Sequence, residues 1–457
     1  MVINIPPQVN RAIEILEKNG HSAYVVGGAV RDAIMGKDAH DWDITTSALP
    51  SETKEAFSGF RIIETGLKHG TVTVLTDGMP LEITTYRIEH GYSDNRHPDR
   101  VDFTDRVEDD LSRRDFTVNA IAYSPSRGFA DPFDGRTDIE RKIIRCVGDA
   151  DRRFGEDALR ILRALRFSAV LGFEIAPETA TSIRKNYSLL KNISVERIFV
   201  ELSKLLCGKD SGRILREYED VIFFIMPELE LMKNCAQTHE RHVFDVWEHT
   251  IKAVESVEAI PELRFAMLLH DSGKPHCKST DENSIDHFYS HADISRKIAD
   301  DVMRRHKTSN AFREHVAALV EHHDFVPEKI SKKTYKKYIA KLGIDIIKEL
   351  FEIRKADISA QNPKFLEEGL KGNEKGLKML AEIEEESNCF KITNLEIDGN
   401  DIILLGVAPS PEIGKILETL LDEVMEEKIE NTHDALNERA MQLIKLQERR
   451  DNGNCKN

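Results

Sequence analysis

The chain has 457 residues, with 64 Lys and Arg against 80 Asp and Glu, and a formal net charge of −16. That length exceeds one compact core and predicts roughly two to four domains, while no segment holds the ~18 uninterrupted apolar residues that a membrane span needs. The six cysteines, at 146, 207, 235, 277, 389 and 455, show no Cys-x-x-Cys spacing, which excludes a zinc ribbon and a disulfide framework and fits reduced thiols in the cytoplasm.

Val9, Ala12, Ile13, Ile15 and Leu16 have helical spacing and predict a short helix over 8–19, ended by Asn19-Gly20. Tyr24, Val25 and Val26 then read as a buried strand running into Gly27-Gly28. Adjacent glycines let the backbone come close to a ligand and turn N–H groups toward a phosphate. A helix over 29–35 follows, and then Asp41-Trp42-Asp43-Ile44. On a strand Asp41 and Asp43 share a face. Paired carboxylates of this kind hold two divalent ions and clamp a triphosphate for in-line attack. A helix is expected over 52–57, and strands over 60–63, 71–75 and 81–86. The turns between them are 66–70 and 77–80.

The string Gly27-Gly28-Ala29-Val30-Arg31-Asp32, with Asp41-Trp42-Asp43-Ile44-Thr45-Thr46-Ser47-Ala48, resembles the polymerase-beta nucleotidyltransferase superfamily. Within it, the match is to the class II tRNA nucleotidyltransferases and bacterial poly(A) polymerases. The resemblance implies Mg2+ on Asp41 and Asp43, and Arg31 close to the triphosphate. It implies a third carboxylate from a neighbouring strand, for which Glu82 is the candidate. Residues 87–102 are polar and turn-rich and predict a mobile loop; the resemblance makes this the loop used in switching from C to A addition.

Leu111 to Ala122 resembles the family's second motif, with Arg114, Asp115 and Asn119 toward ribose and phosphate. An arginine can fork a phosphate, and an acid or amide can accept from sugar hydroxyls. From Glu156 to Phe167 the apolar residues recur at helical spacing beside Arg160, Arg163 and Arg166, all expected at the nucleotide. Cytosine and adenine each present an amino donor beside a ring-nitrogen acceptor, and uracil and guanine the reverse. A carboxylate and an arginine one helical turn apart can therefore choose C and A together. Asp157 and Arg160 match the family's Glu-Asp-x-x-Arg motif, to which that templating role belongs. Glu196 and Arg197, in the next motif, are expected to brace the templating helix. Residues 136–166 carry nine Lys/Arg against six Asp/Glu, a local bias suited to phosphate binding. Lys332, Lys333, Lys336, Lys337 and Lys341 form a second basic cluster.

Strand signals stop after residue 239 and histidines become dense. His249, His270-Asp271, His291, His323 and Asp357 fall mostly near expected helix ends. Neutral imidazoles with carboxylates suit a divalent transition ion or Mg2+. The set resembles the HD phosphohydrolase superfamily, His249, His270-Asp271 and Asp357 matching its His…His-Asp…Asp pattern. His291 and His323 match positions that supply extra metal-site histidines. Phosphomonoester or 2′,3′-cyclic phosphate hydrolysis is the activity implied. The last hundred residues read as helical, with the acidic stretch 382–387 as a joint.

The expected architecture is an α+β nucleotidyltransferase head, a small mixed sheet with helices, followed by all-α neck, HD and tail domains. The boundaries are 1–145, 146–235, 236–380 and 381–457. The expected function is untemplated addition of CCA to tRNA from CTP and ATP, with no membrane and no obligatory protein partner. Two alternatives share the motifs: a poly(A) polymerase of the same class, and an HD phosphohydrolase with a non-catalytic RNA-binding N-terminal half.

Overall fold

Val9, Ala12, Ile13 and Leu16 are all buried, and α1 (Pro7–Lys18) forms around that stripe with Pro7 in its first turn, where a missing N–H costs nothing. The computed structural model describes residues 2–39, 41–64, 66, 70–92, 98–326, 329–386, 392–425 and 428–454. The chain divides into two compact units. The first is Met1–Glu230 with Ala259–Pro261 and Val302–Thr308; the second is Leu231–Glu258, Glu262–Asp301 and Ser309–Asn457.

In the first unit β1 (Ala23–Val26) leads into α2 (Gly28–Ile34), and β2 (Asp43–Thr46) returns antiparallel to β1. After α3 (Pro50–Ala56) come β3 (Arg61–Ile63), β4 (Thr71–Thr76) and β5 (Met79–Thr85). The β4–β5 hairpin turns on Asp77 and Gly78, both at positive φ (47° and 82°), the two-residue turn whose twist matches the strands. β5 lies parallel to β2, with Ile44 opposite Ile83. With β8 (Ala122–Ser124) and β9 (Gly128–Ala130) added below, the described sheet has seven strands in the order β3-β4-β5-β2-β1-β8-β9. Val26, Tyr86, Val107, Leu111, Ala120, Ala122 and Val147 form one apolar cluster against it.

Residues 87–102 differ from the expected loop. β6 (Arg87–His90) and β7 (Arg100–Phe103) pair as a separate antiparallel ribbon, and 93–97 lie outside the described residues. Glu89 fixes the ribbon: Arg87 pairs with it at 2.7 Å, and Arg113 reaches it from beyond α4 (Val107–Ser112) at 3.2 Å. Charged side chains on both strands hid this pairing from a search for apolar alternation. The expected 66–70 turn falls largely outside the described residues.

After α5 (Gly135–Arg141) the unit becomes helical, apart from the short parallel pair β10 (Ile143–Ile144) and β11 (Glu174–Ile175). The expected continuous helix through 156–166 is broken. α6 (Ala150–Glu156) stops at Asp157, which is extended (φ −139°, ψ 104°), and α7 (Leu159–Leu171) starts afresh. The Asp157 carboxylate accepts from the Leu159 N–H at 3.0 Å, a local turn that leads into the second helix, whose N-cap is Ala158. α8 (Pro177–Asn186), α9 (Val195–Leu206), α10 (Ser211–Glu217) and α11 (Glu219–Ile225) complete this part.

The second unit runs through α12 (Val246–Ser256), α13 (Pro261–Leu269) and α14 (Lys274–Cys277). Strand has not vanished: β12 (Ser279–Thr280) and β13 (Asp286–His287) make a small hairpin. Then come α15 (His291–Arg305), α16 (Asn310–Glu321), α17 (Lys332–Leu342) and α18 (Ile344–Ala360). The expected joint at 382–387 is instead helical as far as 386, within α19 (Leu366–Glu386). α20 (Gly399–Leu404), α21 (Pro411–Met425) and α22 (His433–Asn454) follow, packed on a cluster that includes Ile402, Leu420 and Leu436. Among the described residues no helix is long and apolar enough to cross a membrane.

Candidate active sites

Continued one step from Ile44 opposite Ile83, the parallel register of β2 on β5 brings Asp43 level with Glu82, and neighbours in register present their side chains to one face. Asp41 does not share that strand, because β2 begins at Asp43. Its place is fixed instead by Trp42, which is buried and donates from Nε1 to the Ala39 carbonyl at 3.1 Å. Asp43 is reached by solvent yet surrounded by protein atoms. Desolvation first, then Glu82 and Asp41, push its carboxyl up to about 6, against the pull of Arg114. Three carboxylates crowded at this cost suit a divalent cation, which relieves their repulsion.

Gly27 has φ 79°, and a Cβ there would come within 3.1 Å of the Arg114 guanidinium. Its N–H is taken by the Ile121 carbonyl at 3.3 Å. Gly28 opens α2, whose Arg31 is buried and donates to Asn119 at 2.7 Å and to Asp32 at 2.9 Å. Asn119 in turn donates to Asp115 at 3.1 Å, and Arg163 holds Asp115 through two nitrogens at 2.8 and 2.6 Å. Burial opposes charge on Asp115, but Arg163 and Asn119 keep its carboxyl down at about 2. Arg163 and Arg166 both reach Glu201, at 3.7 and 2.8 Å. Phe167, missing from the expected set, carries the Arg31, Arg163 and Arg166 guanidiniums at 5.2, 5.3 and 4.2 Å from its ring centre. A lone Phe at the end of an arginine ridge gave no signal for this in the sequence.

At the α6–α7 break the two expected templating residues separate in environment. Asp157 lines a cavity of about 450 Å³ with Arg163, Glu196, Arg197 and Glu201, and pairs with Arg197 at 3.1 Å. Arg160 points inward, donating to Glu156 at 2.8 Å, the Arg153 carbonyl at 3.3 Å and the Arg113 carbonyl at 3.0 Å. Glu196 does not brace α7; it pairs with Lys307 at 2.9 Å.

In the second unit all six expected ligands converge. Asp271 lies between two histidine pairs. Its Oδ2 is 3.2 Å from His270 Nε2 and 3.5 Å from His249 Nε2, and its Oδ1 is 3.4 Å from His291 Nε2 and 3.7 Å from His323 Nε2. Two candidate ion-binding groups therefore share one carboxylate. Asp357 adds Oδ1 at 2.9 Å from His249. Each imidazole is oriented alike. The Nδ1–H donates to a backbone carbonyl, Ala360 for His249 (3.3 Å), Met267 for His270 (2.7 Å), Phe288 for His291 (2.9 Å) and Val320 for His323 (2.7 Å). A carbonyl can only accept, so the lone pair of neutral imidazole is left on Nε2, facing inward. Separations just above 3 Å are those of ligands around one ion at about 2.1 Å.

The electrostatics agree. Burial lowers His270. Asp271 stays well below the usual carboxylate range despite burial, held by His270 and Lys274. Burial also works against a proton on His323, yet Asp324 and Asp271 carry it up to about 9, a field that a cation satisfies equally. Sequence reasoning missed Asp324, 3.5 Å from His291, and Lys274, 2.7 Å from Asp271. Their signals were adjacency, Asp324 directly after His323 and Lys274 one turn after Asp271.

A mixed-sheet head with an acidic trio beside a glycine pair, followed by helices, defines a nucleotidyltransferase. The family described as "Poly A polymerase head domain" matches residues 23–145, and that described as "Probable RNA and SrmB- binding site of polymerase A" matches 172–231. A tRNA nucleotidyltransferase domain 2 family matches 278–440. The CCA-adding enzyme of Lactobacillus delbrueckii subsp. bulgaricus is 34% identical over 432 residues, 94% of this chain and 96% of that protein. The Leuconostoc citreum CCA-adding enzyme is 52% identical over 208 residues, 46% and 51% of the two chains. The Bacillus stearothermophilus CCA-adding enzyme in complex with CTP superposes with TM-score 0.71 at 28% identity, covering 98% of this chain and all of that one. The chain belongs to the CCA-adding enzyme family.

Proposed function

We propose that this chain adds C, C and A to the 3′ end of tRNA from CTP and ATP, and that its second unit carries an HD-type metal-dependent phosphohydrolase site. The observation carrying the first activity is the β2–β5 register, which sets Asp43 beside Glu82 with Asp41 and Arg114 in electrostatic reach. Asp41 and Asp43 would hold Mg2+, with Glu82 in support. Bound there, the ions supply charge neutralisation at the triphosphate and activation of the attacking hydroxyl.

The remaining work falls to the chain. Gly27 and Gly28 leave room for phosphate, with Arg114 beside them and Arg31 approaching it from α2. Asp115 and Asn119 meet the ribose, Asp115 braced by Arg163, with Arg166 beside them on the nucleotide side of α7. Asp157 and Arg160 select the base, Asp157 from the cavity wall and Arg160 from the first turn of α7, where its inward bonds to Glu156 and the Arg113 carbonyl give way to the base. Head (1–145), neck (146–235), HD (236–380) and tail (381–457) domains divide these tasks, with tRNA on neck and tail. The test is a tRNA ending at its discriminator base, given each NTP singly and together, with the products sequenced. CTP alone should extend it to CC, and CTP with ATP to CCA. A run of A from ATP alone would replace this reading by poly(A) polymerase.

The observation carrying the second activity is the split of Asp271 between two histidine pairs. His249, His270 and Asp357 would hold one ion and His291 and His323 the other, a transition metal or Mg2+. Such ions supply a hydroxide near neutral pH and a Lewis acid for the phosphoryl group. Lys274 adds a positive charge beside Asp271 for the phosphate. Hydrolysis of 2′,3′-cyclic AMP should depend on added divalent metal and stop with chelator. Inactivity with Mg2+, Mn2+, Co2+ and Ni2+ would remove this reading.

A further inference from the structure

Beside the second site the chain builds a fixed aromatic face. Asp281 closes the β12–β13 turn, its carboxylate accepting from the N–H groups of Asn283 and Ile285, both at 2.9 Å. Its other oxygen accepts from His287 Nε2 at 3.0 Å, which sets the plane of that ring. Asp286 pins the hairpin through Thr280 at 2.8 Å and Lys278 at 3.0 Å. Tyr289 stacks on His287, with ring centres 5.4 Å apart and planes within 6°. One face of the tyrosine is thus backed, and the residue is 72% exposed.

A single exposed ring is ordinary; its position here is not. Tyr289 lies two residues before His291, so their Cα atoms are within about 7 Å. Phe288, next to it, has the Lys274 ammonium 5.5 Å from its ring centre, and Lys274 contacts Asp271. The ring therefore stands on the segment that delivers one expected metal ligand, one residue from the Phe288 ring that faces the cation expected to meet phosphate.

We propose that Tyr289, backed by His287, is a stacking platform for the nucleobase of the ester bound at the second site. The site then takes nucleotide esters, such as the terminal nucleotide of an RNA, in preference to sugar or glycerol phosphates. This rests on the hydrolase reading of that site. Every base has a π-face, so stacking accepts any base. A ring already held in place loses little freedom on binding.

The test measures kcat and KM of the full-length, metal-loaded protein on 2′,3′-cyclic AMP, 3′-AMP and glycerol 2-phosphate. Tyr289→Ala should raise KM for both nucleotides about tenfold, leave kcat in place and leave glycerol 2-phosphate unchanged. Tyr289→Trp should keep the wild-type nucleotide KM. Metal content, measured in parallel, should be the same in all three proteins. An unchanged nucleotide KM in Tyr289→Ala, or an equal loss on glycerol 2-phosphate, overturns the platform and leaves the hydrolase standing. A wild-type protein inactive on all three esters overturns the hydrolase and the platform with it.

Discussion

Replacing Asp271 by Asn tests the shared-carboxylate arrangement through metal stoichiometry. The Asp271 oxygens divide, Oδ2 toward His249 and His270 and Oδ1 toward His291 and His323. Two ligand groups predict about two ions at this site, over and above those expected at Asp41 and Asp43, which every variant below keeps. His249→Ala and His291→Ala each remove one histidine from one group, so each should retain about one ion. Asp271→Asn takes the shared carboxylate from both at once, leaving Asp357 as the one acid of the first group, and should retain neither of the two ions. Loss of a group that only orients a metal ligand costs ~10–100-fold in affinity, and loss of the carboxylate itself should cost more. Equilibrium dialysis against Mn2+, read by elemental analysis, counts the ions, and CCA addition serves as the folding control. The arrangement is refuted if Asp271→Asn keeps as much metal as His291→Ala, or if His291→Ala already strips both ions.

At the first site, Asp41→Ala and Asp43→Ala should each lower nucleotide addition at least about a thousandfold while tRNA binding persists, since several kcal/mol of charge stabilisation is lost; single-turnover assays with gel-shift controls decide. Asp157→Ala should relax selection against UTP and GTP about tenfold to a hundredfold, measured by incorporation of each NTP. Arg160→Ala should in addition lower stability, because the Glu156, Arg153 and Arg113 contacts go with it. Asp115 is held at about 2 against an ordinary 3.8, worth roughly 2 kcal/mol. Its folded value is depressed, so this contribution is present above about pH 4 and fades as pH falls toward 2. The gap between wild type and Asp115→Asn in urea unfolding should therefore narrow between pH 6 and pH 3, and a constant gap would refute the pairing.

The local elements of the head were legible because apolar period and turn chemistry agree there. Tyr24 to Val26 with Gly27-Gly28, and Asp77-Gly78 between two alternating runs, each leave few choices. What lay between distant segments was not legible. Nothing in the sequence near Glu82 says that β5 runs parallel to β2 at the register that meets Asp43; that follows from sheet order. The break at Asp157 was hidden because apolar residues keep helical spacing across it, and only the carboxylate bonding its own backbone two residues on ends α6. In the second unit the six expected ligands could be picked out as His and Asp near helix ends. That Asp271 would serve both histidine pairs depends on how five helices pack.

The basic stretch 136–166 shows why counting charges misleads. Its surplus of Lys and Arg suggested a phosphate-binding surface, yet much of that charge is neutralised inside the unit. Arg152, Arg153 and Arg160 all meet Glu156, at 3.0, 2.6 and 2.8 Å. Arg145 meets Asp138 at 2.8 Å, Arg163 meets Asp115, and Arg166 meets Glu201. Arginine forks matched to buried carboxylates fix geometry: they hold α6 to α7, and α7 to Asp115 and to α9. Such a pair contributes to phosphate binding only if the phosphate outcompetes a carboxylate already in place. The stretch is therefore better understood as a rigid internal frame, in which Asp157, paired with Arg197, lines a cavity wall.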